Sequence, residues 1–307
     1  MSKSTDLASA ITLTKLSKRY GKAPKLALDG VSLSVARGEV YGFLGANGAG
    51  KSTTIRTLLN FLQPTSGNAS ILGLDIVRDS VTVKRHVGYL PGEIALYGNM
   101  TGRHFLHYMA ELQPLKNKGY LTELVHRFDA DINKPIDTLS KGNRQKIGLI
   151  QAFMHEPEVL ILDEPTSGLD PLMQEVFYAL VKEARERGAG VFVSSHNFAE
   201  VQRMCDRIGF IREGKLVAEQ TLADLADKAA HTFTLSFIDH VPLAELRKLS
   251  KTTVTPHDEH NVTVSVTGEL SPLFAVLGQH HVAHLRQQEV NLEEEFMQFY
   301  KKSKQHA

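Results

Sequence analysis

A single glycine-rich stretch constrains the fold of this chain more than any other feature, and it consists of Gly45-Ala46-Asn47-Gly48-Ala49-Gly50-Lys51-Ser52-Thr53. It fits G-x-x-x-x-G-K-[ST], the pattern of a phosphate-binding loop. The apolar run Val40–Leu44 before the loop predicts a buried strand, and the run 54–62 after it predicts an amphipathic helix. Because a phosphate-binding loop joins a strand to a helix, this context turns a pattern match into a predicted site.

Each part of this loop has a physical role in holding a nucleotide. Glycines let the backbone approach an anion and point several N–H groups towards it, and the helix start adds partial positive charge. Lys51 would reach the β- and γ-phosphates of ATP, and Ser52 would be a hydroxyl ligand of Mg²⁺. A glycine-rich turn before an ordinary helix is the simpler alternative, and the strand and helix argue against it. The residues predicted to bind nucleotide here are Asn47, Gly48, Ala49, Gly50, Lys51, Ser52 and Thr53.

Composition bounds the class of protein. The chain has 307 residues, 42% of them hydrophobic and 22% charged, which suits one large or two ordinary globular domains. The formal net charge is +1, so there is no charge footprint of a nucleic-acid-binding protein and we expect no nucleic-acid partner. The single Cys205 excludes an internal disulfide and favours a reducing compartment. Neither a membrane-spanning run nor the apolar core of a signal peptide is evident, so a membrane role would need a separate membrane-embedded chain.

The apolar pattern divides the chain into an N-terminal domain, 1–225, and an accessory domain, 230–307. Strands are predicted in the first domain at 11–16, 31–35, 69–73, 87–90, 159–162, 190–195, 207–211 and 215–219, with a turn at Asp29-Gly30. The stretch 97–157 is predicted to be helical, with helices at 102–112, 120–128 and 142–155, and further helices are predicted at 172–187 and 198–205.

From about residue 230 the pattern restarts. Strands are predicted at 231–237, 252–255, 261–267 and 282–290, and helices at 242–249, 272–279 and 292–302. The order β-α-β-β-α-β followed by a helix suits a small ferredoxin-like α+β domain. No internal repeat is present, so the chain carries one nucleotide-binding domain.

A second nucleotide signal lies at the end of the apolar run 159–162. Asp163 follows that predicted strand directly and can hold the shell of a Mg²⁺ ion beside the phosphate loop. Glu164, next to it, is placed to orient or deprotonate the water that attacks the γ-phosphate. A core strand that happens to end in two acids is the alternative, and the phosphate loop upstream makes it the weaker one.

Together with four further motifs, these residues make the chain resemble the nucleotide-binding subunit of an ATP-binding cassette (ABC) transporter. The segment 139–143, Leu-Ser-Lys-Gly-Asn, stands where that family has its LSGGQ signature. Ser167-Gly168-Leu169-Asp170 matches the family's D-loop, His196 its switch histidine, and Tyr20 the aromatic residue that stacks on adenine. The match covers residues 11–222.

The resemblance implies a fold and a mechanism. The fold would be an α/β P-loop ATPase core with an antiparallel β-subdomain and a helical subdomain at about 97–157. Glu164, His196 and Lys51 would be catalytic, with Tyr20 at the adenine. Ser140 and Gly142, with Asp170, would complete the site of a second protomer, because a helix N-terminus there can bind the γ-phosphate held by the opposite chain. ATP and Mg²⁺ are the implied ligands.

This sequence departs from the family pattern at two points. Lys141 and Asn143 replace a glycine and a glutamine of the signature; Asn143 still offers an amide and Lys141 adds a positive charge, so phosphate binding should survive. In the Q-loop, Gly92-Glu93 stands where the family has a glutamine that helps to ligate Mg²⁺. Glu93 is therefore a candidate metal ligand, alongside Ser52 and Asp163, with water as the alternative.

The function implied is ATP-driven export through a separate membrane permease, with the chain bound to the cytoplasmic face of the membrane as half of a homo- or heterodimer. The segments 90–101, 141–153 and 290–296 resemble exporter ATPases that often act on drugs, antibiotics or lipids. The alternatives are an importer subunit, or a soluble ABC ATPase acting on ribosomes or DNA. One cassette and no inserted heptad repeats argue against the latter.

Two features of the accessory domain have simpler explanations than function. The histidines there could suggest a metal site, but no cysteine or close acid pattern completes a ligand set, so we interpret them as surface residues. The histidines considered for such a site are His257, His260, His280, His281 and His284. The charged stretch that includes Arg286, Glu289, Glu293 and Glu294 is interpreted as a solvated face. A regulatory or dimer-stabilising role for this domain is a hypothesis that deletion of 230–307 would test.

Overall fold

The structure is a computed structural model, and it describes residues 9–21, 23–228 and 230–288. The chain forms two compact units, Met1–Glu219 and Gln220–Ala307.

The strands are β1 Ser9–Lys18, β2 Leu28–Ala36, β3 Val40–Leu44, β4 Ser66–Ile71, β5 Leu74–Asp75, β6 Val87–Leu90, β7 Val159–Asp163, β8 Gly190–Ser195, β9 Arg207–Arg212, β10 Lys215–Thr221, β11 Ala230–Phe237, β12 Thr252–Pro256, β13 Asn261–Thr267 and β14 Val282–Gln287. The helices are α1 Lys51–Leu58, α2 Ser80–Arg85, α3 Gly102–Leu112, α4 Lys118–Arg127, α5 Lys141–Phe153, α6 Pro171–Glu186, α7 Phe198–Met204, α8 Leu222–Lys228, α9 Leu243–Leu246 and α10 Ser271–Leu277, with a 3₁₀ turn at Ile136–Thr138.

The first unit is built on a six-stranded sheet in the order β10-β9-β3-β8-β7-β6. The pairs from β6 through β7, β8 and β3 to β9 are parallel. Strands β3, β7 and β8 are buried at every position, which explains their continuous apolar runs. Because parallel strands end at the same edge, Leu44 pairs with Ser195 and Asp163 with Ser194. The loops that follow β3, β7 and β8 therefore meet at one edge of the sheet.

A second, antiparallel sheet in the order β2-β1-β4-β5 shares a hydrophobic core with the central sheet. The predicted turn at Asp29-Gly30 is wrong, because these two residues lie inside β2. Gly30 has φ 68°, its N–H donates to Ser17 Oγ at 2.9 Å, and the register of β1 against β2 shifts on either side of Leu16. The sequence signal of a turn thus marks an irregularity of the β-bulge type within a continuous strand.

Other predicted boundaries also shift, and two of them have a clear local cause. The helix predicted at 54–62 starts earlier, at Lys51, and ends at Leu58, because Asn60 is left-handed (φ 54°) and the N–H groups of Phe61 and Leu62 both turn back to the Arg56 carbonyl. The strand predicted at 69–73 is β4, which begins and ends earlier. It stops at Ile71 because Leu72 (φ 53°) and Gly73 (φ 79°) form the turn into β5.

Helices α3, α4 and α5 lie between β6 and β7, as the helical stretch of the sequence predicted. Thr101, Asn117 and Ser140 cap their N-termini with side-chain hydrogen bonds. Pro171 occupies the first turn of α6, and Asp170 caps that helix. No helix among the described residues is long and apolar enough to cross a membrane.

The second unit contains an antiparallel sheet in the order β12-β13-β11-β14. The chain order β11-α9-β12-β13-α10-β14 is the predicted β-α-β-β-α-β order, so the predicted α+β domain is confirmed. Alternate residues of β11, Phe233, Leu235 and Phe237, are buried in its core with Leu246, Leu273 and Leu277 of the two helices. The helix predicted at 292–302 and the charged residues Glu289, Glu293 and Glu294 lie outside the described residues.

Candidate nucleotide-binding site

The phosphate-binding loop joins β3 to α1 and depends on glycine at particular positions. Gly48 has φ 80° and open space where a side chain would lie, whereas Gly50 has φ 118° and caps α1. A Cβ at Gly50 would lie 3.0 Å from the Ala27 carbonyl oxygen, and one at Gly45 would lie 2.5 Å from the Ile211 carbonyl oxygen. Side chains are therefore excluded from two sides of the loop, while the side near Gly48 is left open for a ligand.

Lys51 is held at the base of this loop. Its ammonium donates to the Gly45 carbonyl at 2.7 Å and to the Ala46 carbonyl at 3.4 Å. It also lies 3.2 Å from Glu164 Oε1, a buried oxygen that has no hydrogen bond of good geometry. Only 7% of the Lys51 side chain is exposed. Lys51 is thus a buried cation, and its nearest carboxylate, Glu164, is not fully hydrogen-bonded. The Lys51 ammonium can therefore bind further anionic oxygens.

Glu164 connects the ends of two neighbouring strands. Its Oε2 lies 2.7 Å from His196 Nδ1, and its backbone N–H donates to the Ser194 carbonyl at 3.2 Å. Glu164 has φ 50°, a left-handed conformation that costs about 1–3 kcal/mol for a residue other than glycine. This conformation directs the side chain between Lys51 and His196. His196 itself is 62% exposed at its side chain, so its other ring face is open to a ligand.

Asp163, the last residue of β7, is 5% exposed and accepts a hydrogen bond from Ser194 Oγ at its Oδ1. Its Oδ2 faces Gly92, where an added Cβ would lie 3.2 Å from that oxygen. Ser194 was not predicted as a site residue, because its only sequence signal was its place at the end of a buried strand. Ser194 fixes one carboxylate oxygen of Asp163 and leaves the other directed towards the loop after β6.

The remaining predicted residues of the phosphate site lie at its rim. Ser52 is exposed at the first turn of α1, and Tyr20 Oη lies 3.3 Å from Thr53 Oγ1. The Tyr20 side chain is 45% exposed, so one ring face is available for stacking. Asn47 and Ala49 lie within the loop, where Ala49 is 7% exposed and Asn47 is exposed.

The signature segment forms a second, separate cluster. Ser140 caps α5 by accepting from the Asn143 N–H at 3.2 Å, and a Cβ at Gly142 would lie 2.8 Å from the Gly168 carbonyl oxygen. Lys141 Nζ donates to Ser167 Oγ at 3.1 Å, so the signature packs on its own D-loop. Within the described chain no hydrogen bond or ion pair joins this cluster to the phosphate loop.

The amide of Asn143 has a different role from the one predicted. Its Nδ2 donates to the Asp131 carbonyl at 2.7 Å, and its Oδ1 accepts from the Asp131 N–H at 2.9 Å. Both ends of the amide are thus used to fix the backbone before α5. Gln145, two residues further along α5, was not predicted as a site residue. It is 3% exposed, and its side-chain amide donates to the Pro165 carbonyl at 2.7 Å. Gln145 therefore links α5 to the loop that carries Glu164.

The two other predicted residues have local contacts. Asp170 accepts from the Met173 N–H at 3.0 Å and so caps α6. Glu93 is exposed, and among the described residues its side chain has no hydrogen bond or ion pair.

The side chains at this edge fit a Mg²⁺ ion and an ATP polyphosphate by their chemistry. A serine hydroxyl at Ser52 and a carboxylate at Asp163 are the hard oxygen donors that Mg²⁺ takes. The open, positive-φ loop around Gly48 and the buried Lys51 ammonium fit phosphate oxygens.

The histidines of the second unit that the structure describes are not arranged as a metal centre. His260 Nδ1 lies 2.9 Å from the Asp239 carbonyl oxygen, and His281 Nδ1 lies 3.1 Å from Asp239 Oδ2. Across residues 9–21, 23–228 and 230–288, no group of three or more histidine, cysteine, aspartate or glutamate side chains is placed to hold a metal ion.

The fold and this site define a P-loop ATPase with a separate signature cluster. The family model for ABC transporters matches residues 28–167. The linearmycin resistance ATP-binding protein LnrL of Bacillus subtilis is 34% identical over 299 residues, 92% of this chain and 95% of that protein. The probable multidrug ABC transporter ATP-binding protein YbhF of Escherichia coli is 38% identical over 226 residues, and the match spans only 39% of its length.

A solved structure of an ATP-binding subunit of an ABC transporter has a TM-score of 0.67 and 32% identity, over 71% of this chain and 92% of that one. These comparisons confirm the family suggested by the motifs. The chain belongs to the ABC transporter family.

Proposed function

We propose that this chain is the ATP-hydrolysing subunit of an exporter whose substrate passes through a separate membrane permease. One observation carries the proposal: the loops after β3, β7 and β8 bring Lys51, Glu164 and His196 into one contiguous set of contacts. The names of the similar proteins, linearmycin resistance and multidrug transport, favour export over import. Neither comparison names a substrate for this chain.

In the proposed site, the phosphate loop and Lys51 bind the β- and γ-phosphates of ATP. Tyr20 stacks on the adenine with its free face. Ser52 and Asp163 hold Mg²⁺, which supplies positive charge to the phosphate oxygens when bound. Ser194 keeps the Asp163 carboxylate in one orientation, as a supporting residue does at a metal site. Glu93 is the weaker candidate ligand because its side chain is exposed and makes no hydrogen bond or ion pair within the described residues.

Glu164 acts as the general base or orienting group for the attacking water. His196, 2.7 Å from its carboxylate, keeps the side chain directed to the γ-phosphate position. Lys51 is 3.2 Å from the other Glu164 oxygen, so phosphate entry would draw the ammonium away and release that oxygen for water. Binding and activation of the base are thereby coupled through one ion pair.

The signature cluster is proposed to act on a second protomer. Ser140 and Gly142 stand at the N-terminus of α5, where the helix dipole favours an anion. Because no hydrogen bond or ion pair in the described chain joins them to their own phosphate loop, they are free to complete the ATP site of a partner chain. Asp170 and the D-loop, which pack on the signature, would lie at the same dimer interface.

A docking groove for the permease lies between the central sheet and the helical stretch. It has a volume of about 500 Å³, and its apolar walls include Phe61, Val81, Tyr89, Tyr97, Phe105 and Met109. Phe61 and Tyr97 are 54% and 58% exposed, which is unusual for large apolar side chains unless a partner covers them. The groove includes Pro91, and the next residue, Gly92, lies close enough to Asp163 that an added Cβ would be 3.2 Å from its Oδ2. A helix docked in the groove would therefore contact the loop beside this proposed metal ligand. The chain would be bound in this way to the cytoplasmic face of the membrane.

The test is a pull-down of the tagged Glu164→Gln variant from detergent-solubilised membranes in the presence of ATP, read by mass spectrometry. A stoichiometric multi-span membrane protein is expected, in greater yield with ATP than without. Glu175→Gln is the matched control, since Glu175 is an exposed carboxylate paired with Arg203 on the surface. Ribosomal proteins or DNA in place of a membrane protein would contradict export and favour a soluble ABC ATPase. A captured membrane protein accompanied by a solute-binding protein would favour import.

A further inference from the structure

A second cavity lies next to the docking groove and has a different chemical character. We call it the polar cavity. It has a volume of about 530 Å³ and is lined by Arg85, Gln113, Lys116, His155 and Glu158, among others. It lies at the amino-terminal ends of β6 and β7, because Glu158 directly precedes β7 and His86, which also lines it, directly precedes β6. The ATP site is at the opposite ends of these parallel strands, so the polar cavity is not part of it.

One wall of the polar cavity is a buried histidine without a hydrogen bond. His155 is 4% exposed, and neither of its ring nitrogens makes a hydrogen bond of good geometry. Burial lowers the pKa of His155 to about 4, although the nearby Val87 backbone opposes this shift, so the ring is neutral at pH 7. A buried polar group left unbonded is destabilising, and such groups in native proteins call for a ligand, water or function.

The charge on the lining is positive after the internal pairs are counted. Glu158 is already bound by Arg37 at 3.0 Å and by His86 at 2.8 Å. In the described part of the chain, neither Arg85 nor Lys116 lies within salt-bridge distance of a carboxylate, and Lys116 donates only to the Glu156 carbonyl at 2.9 Å. Lys84, in the adjoining groove, lies over the Phe61 ring at 5.0 Å and has no carboxylate partner there either. Glu111 also lines the polar cavity, and its only ion pair in the described chain is with His107 at 3.9 Å. Arg85 and Lys116 therefore leave one positive charge after Glu111 is counted, and this excess favours an anionic occupant.

The polar cavity and the docking groove are continuous. Arg85, Leu112 and Gln113 line both of them, and Leu112, which is 60% exposed, stands at their boundary. An occupant that covered Leu112 would bury apolar surface on the groove side and meet cations on the cavity side. A free anion would contact only the cations on the cavity side.

We propose that the polar cavity anchors an aspartate or glutamate side chain of the permease segment that docks in the groove, with Arg85 and Lys116 as its charged contacts. This inference rests on the proposed function, because it names the chemistry of the partner at that function's docking groove. The apolar groove by itself does not require a charged residue in the docked segment. The proposed anchor requires that an acidic residue lie beside the apolar face of that segment.

The experiment places a photo-crosslinking amino acid at Leu112 of the full-length chain in native membranes and sequences the crosslinked peptide by mass spectrometry. The expected crosslink is to a cytosolic segment of a multi-span membrane protein, with an aspartate or glutamate within one helical turn of the crosslinked residue. Arg85→Glu, and separately Lys116→Glu, should lower the crosslink yield at least about tenfold, the size of a charge-assisted contact. Replacing the partner's acid by lysine should restore the yield with Arg85→Glu. Lys182→Glu, at a lysine on α6 that lines neither cavity, is the matched control and should crosslink like the parent.

A crosslinked membrane segment without an acid, an Arg85→Glu yield equal to that of the parent, or a failed charge swap would each overturn the proposal while leaving the exporter assignment intact. Failure of the Glu164→Gln pull-down to capture a membrane protein would instead remove the proposed function itself. A small-anion site is tested by melting temperature in inorganic phosphate and in citrate. Saturable stabilisation that Arg85→Glu abolishes would assign the cavity to a small anion and overturn the acidic-anchor proposal. Melting temperatures of the variants in plain buffer exclude loss of folding as the cause of a lower yield.

Discussion

Glu164 Oε2 lies 2.7 Å from His196 Nδ1, although 31 residues separate them in the chain. The contact exists because β7 and β8 are parallel neighbours, so the residues that follow each strand emerge at the same edge. The left-handed backbone of Glu164 then turns its carboxylate towards the imidazole on one side and towards Lys51 on the other. The groups proposed to bind phosphate and to activate water are thus linked before any ligand arrives.

We expect Glu164→Gln to bind ATP and remain dimeric with ATP while turnover falls at least about 100-fold. The amide keeps the shape of the side chain but cannot accept a proton, and a positioned general base contributes about 10²–10⁴ in rate. Steady-state phosphate release and gel filtration measure the two effects. Glu175→Gln should leave both unchanged. Wild-type turnover in Glu164→Gln would reject Glu164 as the base.

We expect Lys51→Ala to lower ATP affinity by about 10- to 100-fold, the size of a charge-assisted hydrogen bond of about 1.5–3 kcal/mol. The same change also leaves Glu164 without its cationic neighbour at 3.2 Å. Calorimetric titration with a non-hydrolysable ATP analogue measures the affinity, and circular dichroism checks folding. Lys182→Ala, at an exposed lysine of α6, is the control. Unchanged affinity in Lys51→Ala would contradict the phosphate-loop assignment.

Gly142→Ala should reduce turnover more than it reduces ATP binding. The added Cβ would lie 2.8 Å from the Gly168 carbonyl oxygen, closer than real contacts, so the signature and the D-loop must move apart. The phosphate loop is not touched, so affinity of a single protomer should stay within about twofold of the parent, a free-energy change of roughly 0.4 kcal/mol. ATPase rate and ATP-dependent dimerisation are the measurements. Gly278→Ala, whose Cβ meets only an ordinary 3.4 Å contact, is the control, and equal rates in the two variants would contradict the prediction.

His155 should make the protein less stable in acid. Burial lowers its pKa in the folded state from the ordinary value of 6.5 to about 4, so between these values the unfolded chain binds a proton that the folded chain does not. Its contribution to the free energy of unfolding is therefore present above pH 6.5 and is lost as pH falls towards 4. The loss amounts to about 3 kcal/mol at about 1.4 kcal/mol per pKa unit.

The measurement is urea denaturation at several pH values between 6.5 and 4 for the parent and for His155→Gln. The difference in unfolding free energy between them should shrink as pH falls, because only the parent loses this contribution. His107→Gln, at a histidine whose side chain is 77% exposed, should follow the parent curve. Parallel curves for the parent and His155→Gln would contradict the prediction.

Several elements could be predicted closely from local sequence pattern. Strands β6, β8 and β13 and helix α3 have the predicted bounds, because an apolar run or a 3.6-residue repeat ends at a turn signal at each side. Helix α2, strand β5 and helix α8 were not predicted. The first two are short, and none of the three carries an apolar period long enough to stand out.

The site could be predicted as a set of residue types but not as a set of contacts. Motif spacing identified Lys51, Asp163, Glu164 and His196. It could not identify Ser194 or Gln145, because serine at a strand end and glutamine in a helix are common and gain meaning only from the carboxylate or carbonyl they meet. It also assigned Asn143 to phosphate, whereas the amide is bonded on both sides to the Asp131 backbone.

The sequence by itself determined the phosphate loop, the acid pair after a buried strand, the αβ order and the family, since each depends on residues close together in the chain. The tertiary structure alone decided which polar groups meet: Glu164 with His196, Asp163 with Ser194, and Lys141 with Ser167. These pairings are set by parallel strand register and by loop packing, which bring distant segments within about 3 Å of each other, the range of a hydrogen bond. Short-range propensity carries no information about that register, because strand pairing is fixed by contacts between residues far apart in the sequence.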